Sequence, residues 1–159
     1  MANVSNPNGF RAVKYNGSGT FPMYTYNTKS NLTLNPGDAV IMLTNGTIDK
    51  ALVGSTAIFG VCQTAVVAVV ATRKQITVIP ALPDIVFAGQ YGASKDSSSN
   101  PNWGTSIDIN GASGAMLLTT TTGQGVARIL GLEPALDNVA GAYSRVLFVW
   151  NKSQWSGQA

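Results

Sequence analysis

The groups in this chain that could do acid–base or nucleophilic chemistry are few: seven acidic residues and one cysteine, with no histidine among 159 residues. A Ser-His-Asp or Cys-His site needs a histidine, so neither can form within the chain. Paired carboxylates, as in a glycosidase, are the main chemical option that is left. They would have to come from Asp38, Asp49, Asp84, Asp96, Asp108, Glu133 and Asp137.

The positions of these acids fit structural roles better than catalysis. Asp38, Asp84 and Asp137 stand beside Gly, Pro or Asn, where aspartate commonly forms turns. Asp96 lies in a serine-rich segment. Asp108 alternates with two isoleucines, which predicts that its side chain points out of a sheet. We therefore predict that the protein is not an enzyme.

The sequence also lacks the patterns that hold metals and cofactors. It has no cysteine pair and no D-x-[DN]-x-[DN]-G calcium loop. The GQG triplet at 123–125 lacks the lysine of a phosphate loop. Cys62 follows an apolar stretch, which predicts a small buried hydrophobe rather than a nucleophile. No metal and no cofactor is expected.

Charge is scarce throughout the chain. Charged residues make up 11% of it, whereas soluble domains average about 25%. The net charge of +3 comes from basic residues scattered between Arg11 and Lys152, not from the basic stripe of a nucleic-acid binder. The longest apolar run, at 65–71, is far shorter than the roughly 20 residues that span a bilayer. With so little charge to solvate it, the surface is expected to be covered by protein partners, not by nucleic acid or membrane.

Short β-prone segments separated by turn signals recur along the chain, and no helical period is found. Asn45-Gly46, between two apolar segments, is a strong hairpin signal. The valine-rich segment 58–71 is expected to form one long or two consecutive buried strands. About ten short strands predict an all-β fold: a single small β-barrel or a jelly-roll-like sandwich. The other predicted strands are 40–43, 47–48, 76–79, 85–87, 105–109, 115–120, 126–130 and 145–150.

Three parts are expected along the chain: an extended N-terminal arm at 1–22, a β domain at 23–151 and a C-terminal tail at 152–159. The arm segment is polar and glycine-rich but carries spaced apolar residues, as a segment that docks on a neighbouring subunit would. A frayed terminus is the alternative. The residues expected to make the arm's contacts with a neighbouring subunit are Val4, Phe10, Arg11, Val13 and Tyr15.

Three tryptophans are candidates for oligomer or surface contacts, because tryptophan is enriched where protein interfaces are strongest. Trp103 lies in the serine-rich loop, Trp155 lies in the tail, and Trp150 ends an apolar strand where it could equally be core. A sugar-binding platform is the alternative use of the aromatics. Its candidate members are Tyr24, Tyr26, Trp103, Tyr143, Trp150 and Trp155.

Several segments, taken in order, resemble capsid decoration (cement) proteins of tailed bacteriophages. They are NPNGFRAV at 6–13, PGDAV at 36–40, IFGV at 58–61, ITVI at 76–79, DIVFAGQ at 84–90, ARILG at 127–131, DN at 137–138 and VLFVWN at 146–151. The resemblance implies a small β domain that trimerises on the outer surface of the virion capsid, after assembly in the host cytoplasm. It also implies an arm that reaches neighbouring capsomers, with the major capsid protein as partner. The rival interpretations are a carbohydrate-binding module and a pilus or tail-tube subunit.

Overall fold

A computed structural model of the chain describes residues 8–17, 19–92, 104, 106–119, 123–139 and 143–155. These ranges contain twelve β-strands and no helix. The strands are β1 Arg11–Tyr15, β2 Tyr24–Asn27, β3 Ala39–Met42, β4 Ile48–Lys50, β5 Gly60–Cys62, β6 Gln75–Pro80, β7 Ile85–Gln90, β8 Ser106–Ile107, β9 Ile109–Asn110, β10 Leu117–Leu118, β11 Ala127–Leu132 and β12 Arg145–Trp150.

The strands form two five-stranded sheets and one two-stranded sheet. The first sheet has the order β1-β7-β12-β11-β8, the second has the order β2-β6-β5-β3-β4, and β9 pairs with β10. All strand pairs in the three sheets are antiparallel. The prediction of an all-β fold is therefore confirmed. The predicted hairpin at Asn45-Gly46 is also present, between β3 and β4, and Gly46 has a positive φ of 75°.

The main hydrophobic core contains side chains from both five-stranded sheets. Along β12, Val146, Phe148 and Trp150 are buried and the residues between them are partly exposed. This alternation is typical of a strand with one face on a core. Val61 and Ile79 of the second sheet belong to the same cluster. The two sheets thus share one core.

The second sheet is buried on its other face as well. Adjacent residues of β5 fall into different clusters: Val61 in the main core and Cys62 in a second one. Because successive side chains of a strand point to opposite faces, the second cluster lies across the sheet from the first. Leu34 and Val66 belong to this second cluster. They form an isolated antiparallel bridge outside the named strands.

The expectation of buried strands over 58–71 is wrong beyond Cys62. Strand β5 ends there, and of the valines that follow only Val66 is buried. Val67, Val69 and Val70 are 74%, 46% and 81% exposed. Valine favours a strand only where a neighbouring strand forms backbone hydrogen bonds with it and provides a surface to pack on. Here the chain forms one bridge to the described residues, at Leu34, and then turns back towards β6.

The expectation of an extended arm over 1–22 is wrong for residues 10–15. Phe10 is 2% exposed and belongs to the main core. The next five residues form β1, an edge strand that pairs with β7 in the first sheet. The apolar residues of this segment therefore serve the chain's own core. Val4 lies outside the described residues.

The C-terminal tail crosses from the first sheet to the second. The Ile58 N–H donates to the Lys152 carbonyl at 2.9 Å, and the Gln154 N–H donates to the Ile58 carbonyl at 3.0 Å. The Gln154 side chain also bonds both backbone groups of Met42, accepting from its N–H at 2.7 Å and donating to its carbonyl at 3.0 Å. The described part of the tail, up to Trp155, is thus fixed on the domain.

Candidate functional site

Asp38 is a buried carboxylate that joins two turns. The backbone N–H groups of Asn35 and Gly114 donate to it at 2.8 and 2.7 Å. The Ser113 hydroxyl donates a third hydrogen bond. Since Asn35 and Gly114 are far apart in sequence, this carboxylate ties the turn before β3 to the turn between β9 and β10. Its oxygens are occupied by structural donors.

Asp108 is also buried, which corrects the expectation that it points out of a sheet. It is 5% exposed and lies between the two short strands β8 and β9. The Gln124 N–H donates to its carboxylate at 3.0 Å and the Gly125 N–H at 2.5 Å. Two backbone donors need an acceptor here, so the strand breaks at Asp108 and its side chain turns inward.

Most of the remaining described acids are held in ion pairs. Glu133 is paired with Arg11 and Arg145. Arg145 also donates to both oxygens of Asp137, at 2.6 and 3.3 Å. These hydrogen bonds lower the pKa of Asp137 below its ordinary value. Three of the four ion pairs in the described ranges therefore gather at the loop between β11 and β12, the fourth being Lys29 with Asp49.

The loop between β11 and β12 is fixed around an exposed leucine. The Asn138 side-chain amide donates to the Glu133 and Arg145 carbonyls at 2.8 and 2.7 Å. The Asn138 N–H donates to the Ala135 carbonyl at 3.1 Å and closes a turn. Leu136, inside this turn, is fully exposed.

The unmatched charge of the described surface is positive. Asp84 is the one described carboxylate without an ion pair or a hydrogen bond, and it is half-buried. Six basic residues form no ion pair within the described ranges. They are Lys14, Lys50, Arg73, Lys74, Arg128 and Lys152. A partner that neutralised this surface would have to supply acidic groups.

Two further observations bear on chemistry. Cys62 is fully buried and its thiol donates to the Thr64 carbonyl at 3.0 Å. Burial raises the pKa of this thiol to about 11, so it stays protonated near neutral pH and lacks the thiolate of a nucleophile. Among the described residues, no group of three or more His, Cys, Asp or Glu could hold a metal ion.

The predicted arm residues are distributed along the first sheet. Arg11 is exposed and paired with Glu133. Val13 and Tyr15 are half-buried, and Tyr15 packs against the main core. The structure does not bring these residues together as a free segment. Phe10 lies in the core and is 2% exposed, so its side chain cannot contact a neighbouring subunit.

The three predicted tryptophan contacts have different outcomes. Trp150 is 3% exposed and packs against Phe10 and Phe148 in the main core. This corrects the expectation that it makes a surface contact, because an inward position of β12 leaves no exposed ring. Trp103 lies outside the described residues. Trp155 remains partly exposed.

Trp155 belongs to an aromatic corner on the second sheet, formed by Tyr24, Tyr26, Phe59 and Trp155. Its ring stacks on Phe59 at 4.7 Å and lies 5.6 Å from Tyr24, centroid to centroid. Its indole N–H donates to the Phe59 carbonyl at 2.6 Å. Tyr24 is exposed and Trp155 borders it. The corner therefore holds the tail in place and also presents apolar surface.

Sequence reasoning missed most of the exposed apolar side chains. They lie mainly on three loops and at the aromatic corner, and they are Met23, Tyr24, Leu52, Val53, Val67, Val69, Val70, Leu130, Leu136, Val139 and Trp155. In a sequence, an apolar residue is normally assigned to the core. Turn-forming residues beside some of them are a local sign of exposure: Pro134 and Asn138 flank Leu136, and Gly54 follows Val53.

In comparisons with protein-family models, curated proteins and solved structures, none matches this chain. Within the described ranges, no helix is long and apolar enough to cross a membrane. The candidate site is therefore a set of surfaces: exposed apolar loops on an antiparallel β domain whose unmatched charges are basic.

Proposed function

We propose that this chain is a non-enzymatic structural protein of a phage virion, which decorates the outer surface of the capsid and cements neighbouring major capsid subunits. The observation that carries the proposal is the set of exposed apolar side chains on fixed loops, in a chain with little charge. Exposed apolar patches mark interaction sites, since their burial is the main driving force of association. The sequence resemblance to cement proteins supplies the identity of the partner.

In this proposal the domain is a jelly-roll-like sandwich that assembles as a trimer. Two five-stranded antiparallel sheets with a common core support the sandwich over the barrel. The work is mechanical: each copy adds buried area between capsid subunits and so raises the force or heat needed to separate them. No residue has to do chemistry. The binding surface therefore comes from loops rather than a cleft.

Adding the purified protein to capsids of the same phage that lack it is expected to stabilise them. The protein should sediment with the shells at a saturating copy number and raise the temperature at which they break, because burial of the apolar loops favours the intact shell. Sedimentation and thermal disruption of the shells measure both effects.

The control is capsids with an unrelated β-sandwich protein at the same concentration. Light scattering of the free protein should give the mass of a trimer, and a stable monomer at micromolar concentration would contradict the trimeric state. Capsids whose stability is unchanged at saturating protein would refute the cementing role.

One observation favours a second candidate, a carbohydrate-binding module. Tyr24 and Trp155 lie side by side and both are partly exposed, and adjacent aromatic rings can stack on sugars. We expect no binding on a glycan array, because the Trp155 ring already stacks on Phe59 and its N–H is bonded within the chain. Glycan binding that disappears in Tyr24→Ala, with folding intact, would favour the module instead. Trp103→Ala serves as the second variant.

A further inference from the structure

We propose that the valine loop, residues 65–74, is the element through which the chain binds its partner. The loop inserts into an apolar pocket, bordered by carboxylates, on a different protein. The inference rests on the proposed function, in which that protein is the major capsid protein. It adds which surface of the chain makes the contact and which chemistry the partner must supply.

The base of the valine loop is anchored on the domain. The Leu34 N–H donates to the Val66 carbonyl at 3.0 Å, and the Val66 N–H donates back to Leu34 at 2.8 Å. The Ala68 N–H donates to the Thr33 hydroxyl at 3.1 Å. The Val66 side chain is buried in the second cluster. The base of the loop is therefore fixed on the domain at Leu34 and Thr33.

The tip of the loop has a defined turn. The Thr72 N–H donates to the Val69 carbonyl at 3.2 Å. Ala71, within this turn, has a φ of 59°, a conformation that non-glycine residues rarely adopt. A loop that is already shaped loses less conformational entropy on binding, which raises affinity. The structure thus presents the valines in a preformed arrangement.

What the tip presents is apolar. Val67 and Val70 are 74% and 81% exposed, and Val69 is also exposed. A β-prone, uncharged window of this kind promotes aggregation where it stays in water. A specific apolar pocket on a partner would remove it from water.

The basic residues next to the tip indicate which chemical groups border the partner's pocket. Arg73 and Lys74 are exposed and form no ion pair within the described ranges. The nearby Lys29 is paired with Asp49 at 2.7 Å. Two free cations beside an apolar tip complement a pocket edged with carboxylates.

A second copy of the chain fits this role poorly. The described acids are buried on backbone donors, held in ion pairs or, for Asp84, half-buried. The unmatched groups of the described surface are basic, so a second copy would bring cations towards Arg73 and Lys74. Within the described ranges no exposed, unpaired acid could supply the carboxylates, so we assign them to another protein. Trimer contacts can still form through other surfaces.

The test is binding to phage capsids that lack the protein, measured by co-sedimentation for wild type and four double or single variants. V67S/V70S removes the apolar tip, and R73E/K74E reverses the charge. T44A/T56A is the control for side-chain removal, since Thr44 and Thr56 are exposed on other loops and lie outside the exposed apolar set. K14E controls for the reversal of one exposed charge elsewhere on the surface. Urea unfolding is expected to show unchanged stability for all variants, because the replaced side chains lie in solvent.

V67S/V70S and R73E/K74E are each expected to weaken binding about tenfold or more, with T44A/T56A and K14E within about threefold of wild type. Wild-type binding should also weaken as salt rises. If wild type binds and both valine-loop variants bind equally well, the docking inference fails and the proposed function stands. If wild type does not bind the capsids, both fail. Sedimentation of wild type, but not V67S/V70S, with phosphatidylglycerol vesicles would overturn the protein partner.

Discussion

Phe10→Ala is expected to lower the free energy of unfolding by about 3–5 kcal/mol, the usual range for removing a fully buried phenylalanine. The Phe10 ring makes edge contacts with Phe148 and Trp150, both at 5.4 Å between centroids. These aromatic pairs add to the lost burial. The substitution also leaves a cavity under Gly89, where an added Cβ would lie 2.6 Å from the Phe10 ring.

The measurement is equilibrium unfolding in urea, followed by tryptophan fluorescence, because Trp150 contacts the replaced ring. Phe21→Ala is the matched control: it deletes the same side chain at a half-buried position on the edge of the same core. We expect it to lose less than half as much stability. Equal losses of stability in the two variants would mean that Phe10 is not a core residue. They would support the prediction of an extended arm over 1–22 instead.

Asp38→Ala is expected to lower the free energy of unfolding by about 3 kcal/mol or more. The carboxylate accepts hydrogen bonds from Asn35, Ser113 and Gly114. A buried donor left without an acceptor costs about 1–3 kcal/mol, and the three donors here lie at half-buried positions. Because the bonds join two distant turns, the segment carrying β9 and β10 should also loosen. Urea unfolding and amide hydrogen exchange at Gly114 measure the two effects.

Two controls separate this effect from a general sensitivity to charge removal. Ser113→Ala removes one donor and keeps both backbone bonds of Asp38, so a loss of about 1 kcal/mol is expected. Asp49→Ala removes a hydrogen bond from the adjacent Lys50 N–H and a partly exposed ion pair with Lys29, and such an ion pair is worth about 0–1 kcal/mol. A loss in Asp38→Ala no larger than in Asp49→Ala would contradict the structural role of the buried carboxylate.

Much of the β structure could be predicted because local patterns determine it. The alternation over 145–150 coincides with β12, and the segment 76–79 lies within β6. Asn45-Gly46 forms its predicted hairpin because a turn of this kind is specified by its own residues. The sequence predicts one strand over 105–109, whereas the structure has two, β8 and β9, because Asp108 accepts hydrogen bonds from the turn at Gln124 and Gly125.

The burial of particular residues could not be predicted, because it depends on contacts between distant segments. Phe10 follows an asparagine- and glycine-rich segment typical of an arm, yet its N–H bonds the Gly37 carbonyl at 2.8 Å and its ring enters the core. The valines at 67, 69 and 70 have strong β propensity but pair with no strand in the described part of the chain. The charge network at Glu133 joins Arg11 to Arg145 across 134 positions of sequence, and no local signal marks it.

The central claim is that this chain cements a capsid from the outside, and electron cryomicroscopy of capsids with and without the added protein tests it most directly. The account predicts extra density on the outer surface at the junctions between neighbouring major capsid subunits. The valine loop should be buried at the contact in that density. A shell that shows no added density at saturating protein would contradict the account.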